Sequence, residues 1–180
     1  MVAMTLQCQL FNTDLGPVFL AWEENRLVRL RYGAAAADVP YGCDEFEFEL
    51  VRKVTRTMRE ARARITRFAS GKSVSLNSIP LDMRGRTVFQ TQVLQECRKV
   101  SWGSVVSYGD LAGRIGKPRA ARAVGSVMRS NRHPLVIPCH RVIAANGRLG
   151  GYSADDGVCT KAKLLSREGV SQYVDQLGLR

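Results

Sequence analysis

Histidine is scarce in this chain of 180 residues: it occurs only at His133 and His140, and the first 80 residues have none. The five cysteines, Cys8, Cys43, Cys97, Cys139 and Cys159, form no CxxC pair. Four-ligand zinc spacing is therefore absent, and neither a metal nor a cofactor is expected. An odd cysteine count without paired spacing also argues against a disulfide framework and for a reducing compartment. No apolar run approaches the roughly 20 residues of a membrane-spanning helix. Residues 1–11 lack a basic stretch followed by a long apolar one, so no signal peptide is expected. Acidic residues are missing from one region in particular: between 84 and 148 only Glu96 and Asp110 stand against 12 basic groups.

That imbalance is the first positive signal. The chain carries 27 Lys+Arg against 16 Asp+Glu, a net +11, yet residues 1–80 contribute only +2 of it. A basic block of this density fits a polyanion, most plausibly nucleic acid. At 45% apolar, the composition is that of a globular protein able to bury a core.

The first third reads as strands, Thr5–Phe11, Val18–Trp22 and Leu27–Tyr32, punctuated by turns at Gly16-Pro17 and Glu24-Asn25. A loop is expected over Ala34–Asp44. Apolar residues at Phe48, Val51, Val54, Met58, Ala61 and Ile65 predict a helix from Asp44 to about Phe68, and Val74–Leu81 reads as a further strand. A domain boundary is expected near Asp82–Thr87. It separates residues 1–82, a structural α/β domain, from residues 83–180.

The second part opens with a helix over Thr87–Val100, with Thr87 and Gln90 spaced as a capping box. Ser107 and Asp110 mark the start of a helix over Tyr108–Ile115 that stops at Gly116. Pro118 suits the first position of the next helix, Arg119 to about Ser130. Small residues (Ala120, Ala121, Ala123, Gly125, Ser126) let that helix approach another surface closely, and Arg119, Arg122 and Arg129 project from it. Two short helices with arginines on the second have the shape of a DNA-binding helix-turn-helix; the plainer alternative is a helical hairpin packed into a core.

An apolar run then leads into Pro138-Cys139-His140-Arg141. A thiol beside a base points to nucleophilic chemistry. Adjacent side chains on an extended strand face opposite ways, so Cys139 and His140 cooperate only if the chain bends or a water bridges them. Pro138 favours a bend. The base also needs an orienting group, for which Glu168, Asp155 and Asp156 are candidates that spacing does not separate.

Pro138-Cys139-His140-Arg141-Val142 resembles the active-site motif of the O6-alkylguanine-DNA alkyltransferases. Phe89-Gln90, Val106-Ser107-Tyr108, Leu111-Ala112, Ala120-Ala121-Arg122-Ala123-Val124-Gly125, Asn131, Gly151-Tyr152 and Leu164-Leu165 follow in that family's order. The resemblance spans about residues 84–169; the first 80 residues match only in size and coarse element order. It implies a mixed α/β (α+β) protein with a small RNase-H-like sheet-and-helix domain before a mostly helical domain bearing a winged helix-turn-helix. It implies direct-reversal repair: duplex DNA is bound, an O6-alkylguanine is flipped out, and its alkyl group moves irreversibly to Cys139, once per molecule. O4-methylthymine is a second substrate on this reading.

By the same resemblance His140 takes the thiol proton through a water, Glu168 orients His140, and Asn131 holds the turn between the DNA-reading helix and the active site. Tyr108 rotates the nucleotide's phosphate and donates to the departing guanine. Arg122 fills the gap left by the flipped base, in a minor groove that Ala121 and Gly125 allow the helix to enter, while Arg119 and Arg129 contact phosphates. Tyr152 and Ser153 contact the guanine, and Pro134 and Val142 complete the substrate pocket, Pro134 as an apolar wall. Chemically, attack on a saturated carbon requires a thiolate. Arg141 and a protonated His140 are expected to stabilise it. A departure from the family's pattern is the longer loop after Ser153, with Asp155 and Asp156 near the pocket.

The implied partner is double-stranded DNA, with no membrane. A monomer is expected, since one lesion needs one thiol, with cooperative clustering along DNA as an added option. The expected compartment is a bacterial or archaeal cytoplasm, or a nucleus in a eukaryote. The competing reading is a non-catalytic, alkyltransferase-like lesion sensor; those relatives lack the acceptor cysteine, which is present here.

Overall fold

The structure, a computed structural model, describes residues 5–37, 47–50, 54–153, 157–173 and 177. It divides into two compact units, Met1–Asp82 and Met83–Arg180. The mixed α/β class expected from the sequence holds.

The first unit is built on a four-stranded sheet of order β3-β2-β1-β4, with β1 at Thr5–Thr13, β2 at Gly16–Glu23, β3 at Arg26–Tyr32 and β4 at Glu47–Leu50. The first three strands are antiparallel neighbours, and β4 runs parallel to β1. Glu24 and Asn25 both have positive φ (47° and 60°), the turn whose twist matches a two-residue hairpin. The earlier turn lies at Asp14–Leu15, and Gly16-Pro17 already belongs to β2. Strand β2 is buried on both faces from Val18 to Trp22, as a central strand should be. Helix α1, Ala34–Ala37, opens the expected loop and places Ala36 in a cluster with Leu6, Cys8, Phe19 and Ala21.

Two expectations for this unit are corrected. The long helix starts only at Arg56: α2 is Arg56–Ala69, and Glu47–Leu50, which was to open that helix, is β4. Glu-Phe-Glu-Leu alternates with the period of a strand, and Thr55, in extended conformation, caps α2 by accepting from the Met58 amide at 3.3 Å. Asp44 and Val51 lie outside the described residues. Val74–Leu81 is not a strand but an irregular connection that makes one bridge, Leu27 to Leu81. Pro80 has no N–H to donate, so the contact reduces to the Leu27 amide on Pro80 O and the Asp82 amide on Leu27 O, 2.8 Å each.

The second unit comprises α3 (Val88–Arg98), β5 (Val106–Ser107), α4 (Tyr108–Arg114), α5 (Ala121–Arg129), β6 (Val142–Ile143) and α6 (Val158–Arg167). Strands β5 and β6 pair in parallel, Val106 with Val142. Both capping boxes are present, Thr87 with Gln90 and Ser107 with Asp110. Helix α4 ends as its Gly116 predicts. At φ +71° the glycine lets its own amide bond Gly113 O at 2.9 Å and the Lys117 amide bond Ala112 O at 2.8 Å. Pro118 does not open α5. It sits with Arg119 in a turn closed by the Ala120 amide on Lys117 O at 2.9 Å, so α5 begins two residues later, at Ala121. Among the described residues no helix is long and apolar enough to cross a membrane.

Candidate active site

The bend that Cys139 and His140 require is there, and local chemistry makes it. Pro138 has φ −77° and ψ 65°, the centre of an inverse γ-turn, and the Cys139 amide bonds Ile137 O across it at 2.8 Å. Cys139–Arg141 then form one turn of 3₁₀ helix, closed by the Arg141 amide on Pro138 O at 2.9 Å. Upstream, Leu135 adopts φ +69° while only 2% exposed, a strained backbone held by the packing around it.

Behind this turn lies a buried ionic network. Glu168 caps the C-terminus of α6, and its Oε1 accepts from His140 Nε2 at 2.8 Å and Arg141 Nη2 at 2.9 Å. Oε2 accepts from Arg141 Nε at 2.8 Å and the Gly103 amide at 3.3 Å, and Arg141 Nη1 donates to Val100 O at 2.5 Å. Of the three candidates for orienting His140, Glu168 makes the contact; Asp155 and Asp156 lie outside the described residues. Burial pushes the Glu168 carboxyl up, but the hydrogen bonds and charges of His140 and Arg141 outweigh it and hold it at about 2. Burial lowers His140 below its usual value against the pull of Glu168. Its resting form is thus the neutral imidazole, with the Nε2 proton directed at Glu168 and Nδ1 as the basic nitrogen. The protonated His140 expected beside the thiolate is therefore not the resting form. Arg141 is likewise committed to Glu168 and Val100.

The groups that do act on the thiol are others. Burial pushes Cys139 up; a hydrogen bond from Asn131, the charge of Lys161, the turn's own backbone and Tyr152 draw it back. Asn131 Nδ2 donates to Ile137 O at 2.9 Å and to Cys139 Sγ at 3.3 Å, while its Oδ1 accepts from the His133 amide at 3.0 Å. Asn131 thus pins the turn and touches the sulfur.

Lys161 escaped the sequence reading. It is fully buried in α6, its Nζ donates to Val142 O and Leu149 O, and it lies 6.0 Å above the Tyr108 ring centroid. Burial lowers it to about 8 against the charges of Cys139 and Cys97. A lysine on the same helical face as Leu164, Leu165 and Glu168 was the available signal.

Cys139 opens onto a cavity of about 590 Å³ whose lining includes Tyr108, Ala121, Arg122, Gly125, Arg129, Tyr152 and Ser153. Eight of the fourteen residues named from the sequence thus meet at one surface. Small side chains widen it at Ala144 and Ala145, which the sequence reading missed. Gly125 faces Tyr108: a Cβ there would meet the ring at 3.9 Å. Gly150 is more tightly constrained: its φ is +68°, and a Cβ there would meet the Tyr108 ring at 3.2 Å and its hydroxyl at 3.3 Å, so the ring would have to shift. Ser153 Oγ donates to Arg129 O at 3.4 Å. Burial raises the Tyr108 phenol, keeping it a donor.

The remaining named residues lie elsewhere. Asn131, His140 and Glu168 are not among the cavity's lining residues: Asn131 touches the Cys139 sulfur, His140 and Glu168 are buried against each other, and Arg119 is exposed in the turn before α5. Pro134 and Val142 do not line the cavity, contrary to their expected place in the substrate pocket. Pro134 is half-buried in the turn after Asn131, and Val142 is wholly buried because β6 pairs it with Val106. Among the described residues no group of three or more His, Cys, Asp or Glu side chains gathers as metal ligands would.

A thiol at a cavity edge, a neutral imidazole oriented by a carboxylate, and an arginine-bearing helix beside them define a nucleophilic cysteine site on a nucleic-acid-binding fold. Residues 88–170 match the family model for the DNA-binding domain of 6-O-methylguanine DNA methyltransferase. The chain is 35% identical over 160 residues to the constitutive methylated-DNA–protein-cysteine methyltransferase of Bacillus subtilis, covering 89% of this chain and 93% of that one. It is 48% identical over 95 residues to the bifunctional transcriptional activator/DNA repair enzyme Ada of Escherichia coli, 53% of this chain but only 26% of Ada. The crystal structure of Mycobacterium tuberculosis OGT in complex with DNA superposes with a TM-score of 0.75 at 28% identity, over 98% of this chain and 100% of that one. The chain belongs to the methylated-DNA–protein-cysteine methyltransferase family.

Proposed function

We propose that the chain repairs DNA by direct reversal, moving the alkyl group of an O6-alkylguanine from duplex DNA to Cys139. The observation that carries this is the thiol at the cavity edge, with Asn131 on its sulfur, Lys161 close by, and the ionised Glu168 holding His140 as a neutral base. A base stacked in a duplex cannot reach such a thiol, so the nucleotide is flipped into the cavity at a cost of a few kcal/mol. Arg122, exposed on α5 at the cavity rim, takes its place in the stack, and Arg119 and Arg129 bind phosphates.

In the chemical step the thiol proton leaves toward His140 Nδ1, through a water. The sulfur lone pair forms an S–C bond as the C–O6 bond breaks. The electron pair of that bond leaves with guanine, where Tyr108 and Ser153 supply donors to the developing anion. Lys161 stabilises the thiolate during attack. The thioether has no leaving group that water readily displaces, so each molecule acts once. The reaction needs no metal or cofactor. It belongs in a compartment that keeps thiols reduced and holds the DNA, a prokaryotic cytoplasm or a nucleus.

Intact-protein mass before and after mixing with a duplex bearing one O6-methylguanine tests this. The expected result is a gain of one methylene per molecule, never more, on the peptide containing Cys139. Tight binding without mass gain would instead make the chain a lesion sensor.

A further inference from the structure

One side chain outside the site described above reaches toward it. Arg86 lies at the very start of the second unit, 44 residues before the residue it binds: Nη1 donates to Ser130 Oγ at 3.1 Å and Nη2 to Ser130 O at 2.7 Å. Its backbone is fixed on both sides. Gly85, at φ +73°, turns the chain; the Arg86 amide bonds Met83 O at 3.3 Å; and Thr87 is the N-cap of α3. Ser130 is the C-cap of α5, where helix carbonyls lack partners and the macrodipole is negative, so a forked guanidinium is well placed there.

The next residue is Asn131, whose amide bonds Met128 O at 3.2 Å and whose side chain holds Ile137 O and Cys139 Sγ. Arg86, Ser130, Asn131 and Cys139 thus form a continuous chain of covalent and hydrogen-bonded links. Partial burial and then the like charge of Arg132, which follows Asn131, both disfavour the Arg86 cation, and its two hydrogen bonds to Ser130 hold it in place against them.

We propose that Arg86 is a positioning residue for alkyl transfer: by clamping the end of α5 it sets the backbone of Asn131, and so the placement of the Asn131 amide on the Cys139 sulfur. The inference rests on Cys139 being the acceptor. Among the polar groups acting on Cys139, the Asn131 hydrogen bond does most to favour the thiolate. Lys161 from α6, Cys97 from α3, Tyr108 from α4 and Tyr152 also act on this thiol or are acted on by it, and substitution of Arg86 leaves all of them in the chain.

The test is single-turnover transfer from a duplex carrying one O6-methylguanine, read as methylated protein mass from about pH 6 to about pH 10. Arg86→Gln moves the rise in rate to higher pH by about one unit, so transfer is about tenfold slower at neutral pH but reaches the wild-type limit in alkali. Arg86→Lys, a point charge in place of a fork, falls between the two and carries the test alone if Arg86→Gln does not fold. In an Asn131→Ala background Arg86→Gln adds nothing further, since both act through one contact. An unshifted profile, a uniform slowing at every pH, or additive effects overturn the proposal and leave Arg86 a helix cap. Transfer that survives in Cys139→Ala overturns the acceptor assignment itself, whatever Arg86 does.

Discussion

The two units bury different things. In the first, the buried side chains are Leu6, Val18, Leu20, Trp22, Leu27, Ile65 and their like, with Gln9 the one buried polar residue among those described. In the second, His133, His140, Arg141, Thr160, Lys161 and Glu168 are all buried. Burying a charge costs several kcal/mol unless it is paired, and an apolar replacement is often as stable. The first unit follows the cheaper course throughout. The second accepts the cost around one thiol, where burial neutralises His140 and brings Lys161 down to about 8, while the hydrogen bonds and charges of His140 and Arg141 overcome burial and hold Glu168 at about 2. Concentrated burial of titratable groups beside a cavity marks where chemistry is done.

The same contrast holds between two thiols of the second unit. Cys97 and Cys139 are both buried, and burial raises both. Only Cys139 lines the cavity and receives the Asn131 hydrogen bond. Burial alone makes an inert thiol; a cavity and a donor make a nucleophile.

The contrast can be broken hardest at Cys139. Cys139→Ala should abolish methyl transfer by intact mass while damaged duplex is still bound, whereas Cys97→Ala should retain transfer. Next comes Glu168→Gln, which strands Arg141 with no ionised partner: about 3–5 kcal/mol of stability should be lost in urea unfolding, against about 1 kcal/mol for Ile65→Val in the first unit. A loss below 1 kcal/mol would mean that the network is not an ionic core.

Acid should act on the second unit selectively. The folded Glu168 lies near 2, below its ordinary 4.5, so its contribution is fully present above pH 4.5 and is lost as pH falls toward 2. His140 adds in the same direction, starting below pH 6.5, because its folded value is depressed and the unfolded chain takes up the proton more readily. Unfolding followed separately by amides of β2 and of α6 should show α6 losing protection first; equal loss would remove the distinction. A smaller effect is expected at the rim: Arg122→Ala should weaken repair in duplex about tenfold more than transfer from the free base O6-benzylguanine, and equal losses would refute a flipping role. Least of all, Thr87→Ala should cost about 1 kcal/mol in unfolding and leave transfer unchanged.

Much of the second unit was legible because its signals are local. Thr87 with Gln90, Ser107 with Asp110, and Gly116 act within a few residues of themselves, and each element began or ended where they indicated. In the first unit Phe48 was misread, because an apolar residue every three or four positions fits a helix whether or not a strand interrupts it. The register of Phe48 beside Leu6 depends on β1, more than forty residues away. Pro118 was misplaced because proline serves equally at the second position of a turn and at the first of a helix.

Sequence alone determined the basic character of residues 84–148 and the capped helices, which rest on composition or on neighbouring residues, and it pointed to the family and to Cys139 as the expected acceptor through motifs ordered over residues 84–169. Tertiary structure alone decided that Glu168 is buried and ionised against His140, that Arg141 is paired with the same carboxylate, and that Lys161 lies buried close to Cys139. The physical reason is common to all three. A charge acquires its role from the groups that replace water around it, and those groups come from distant parts of the chain.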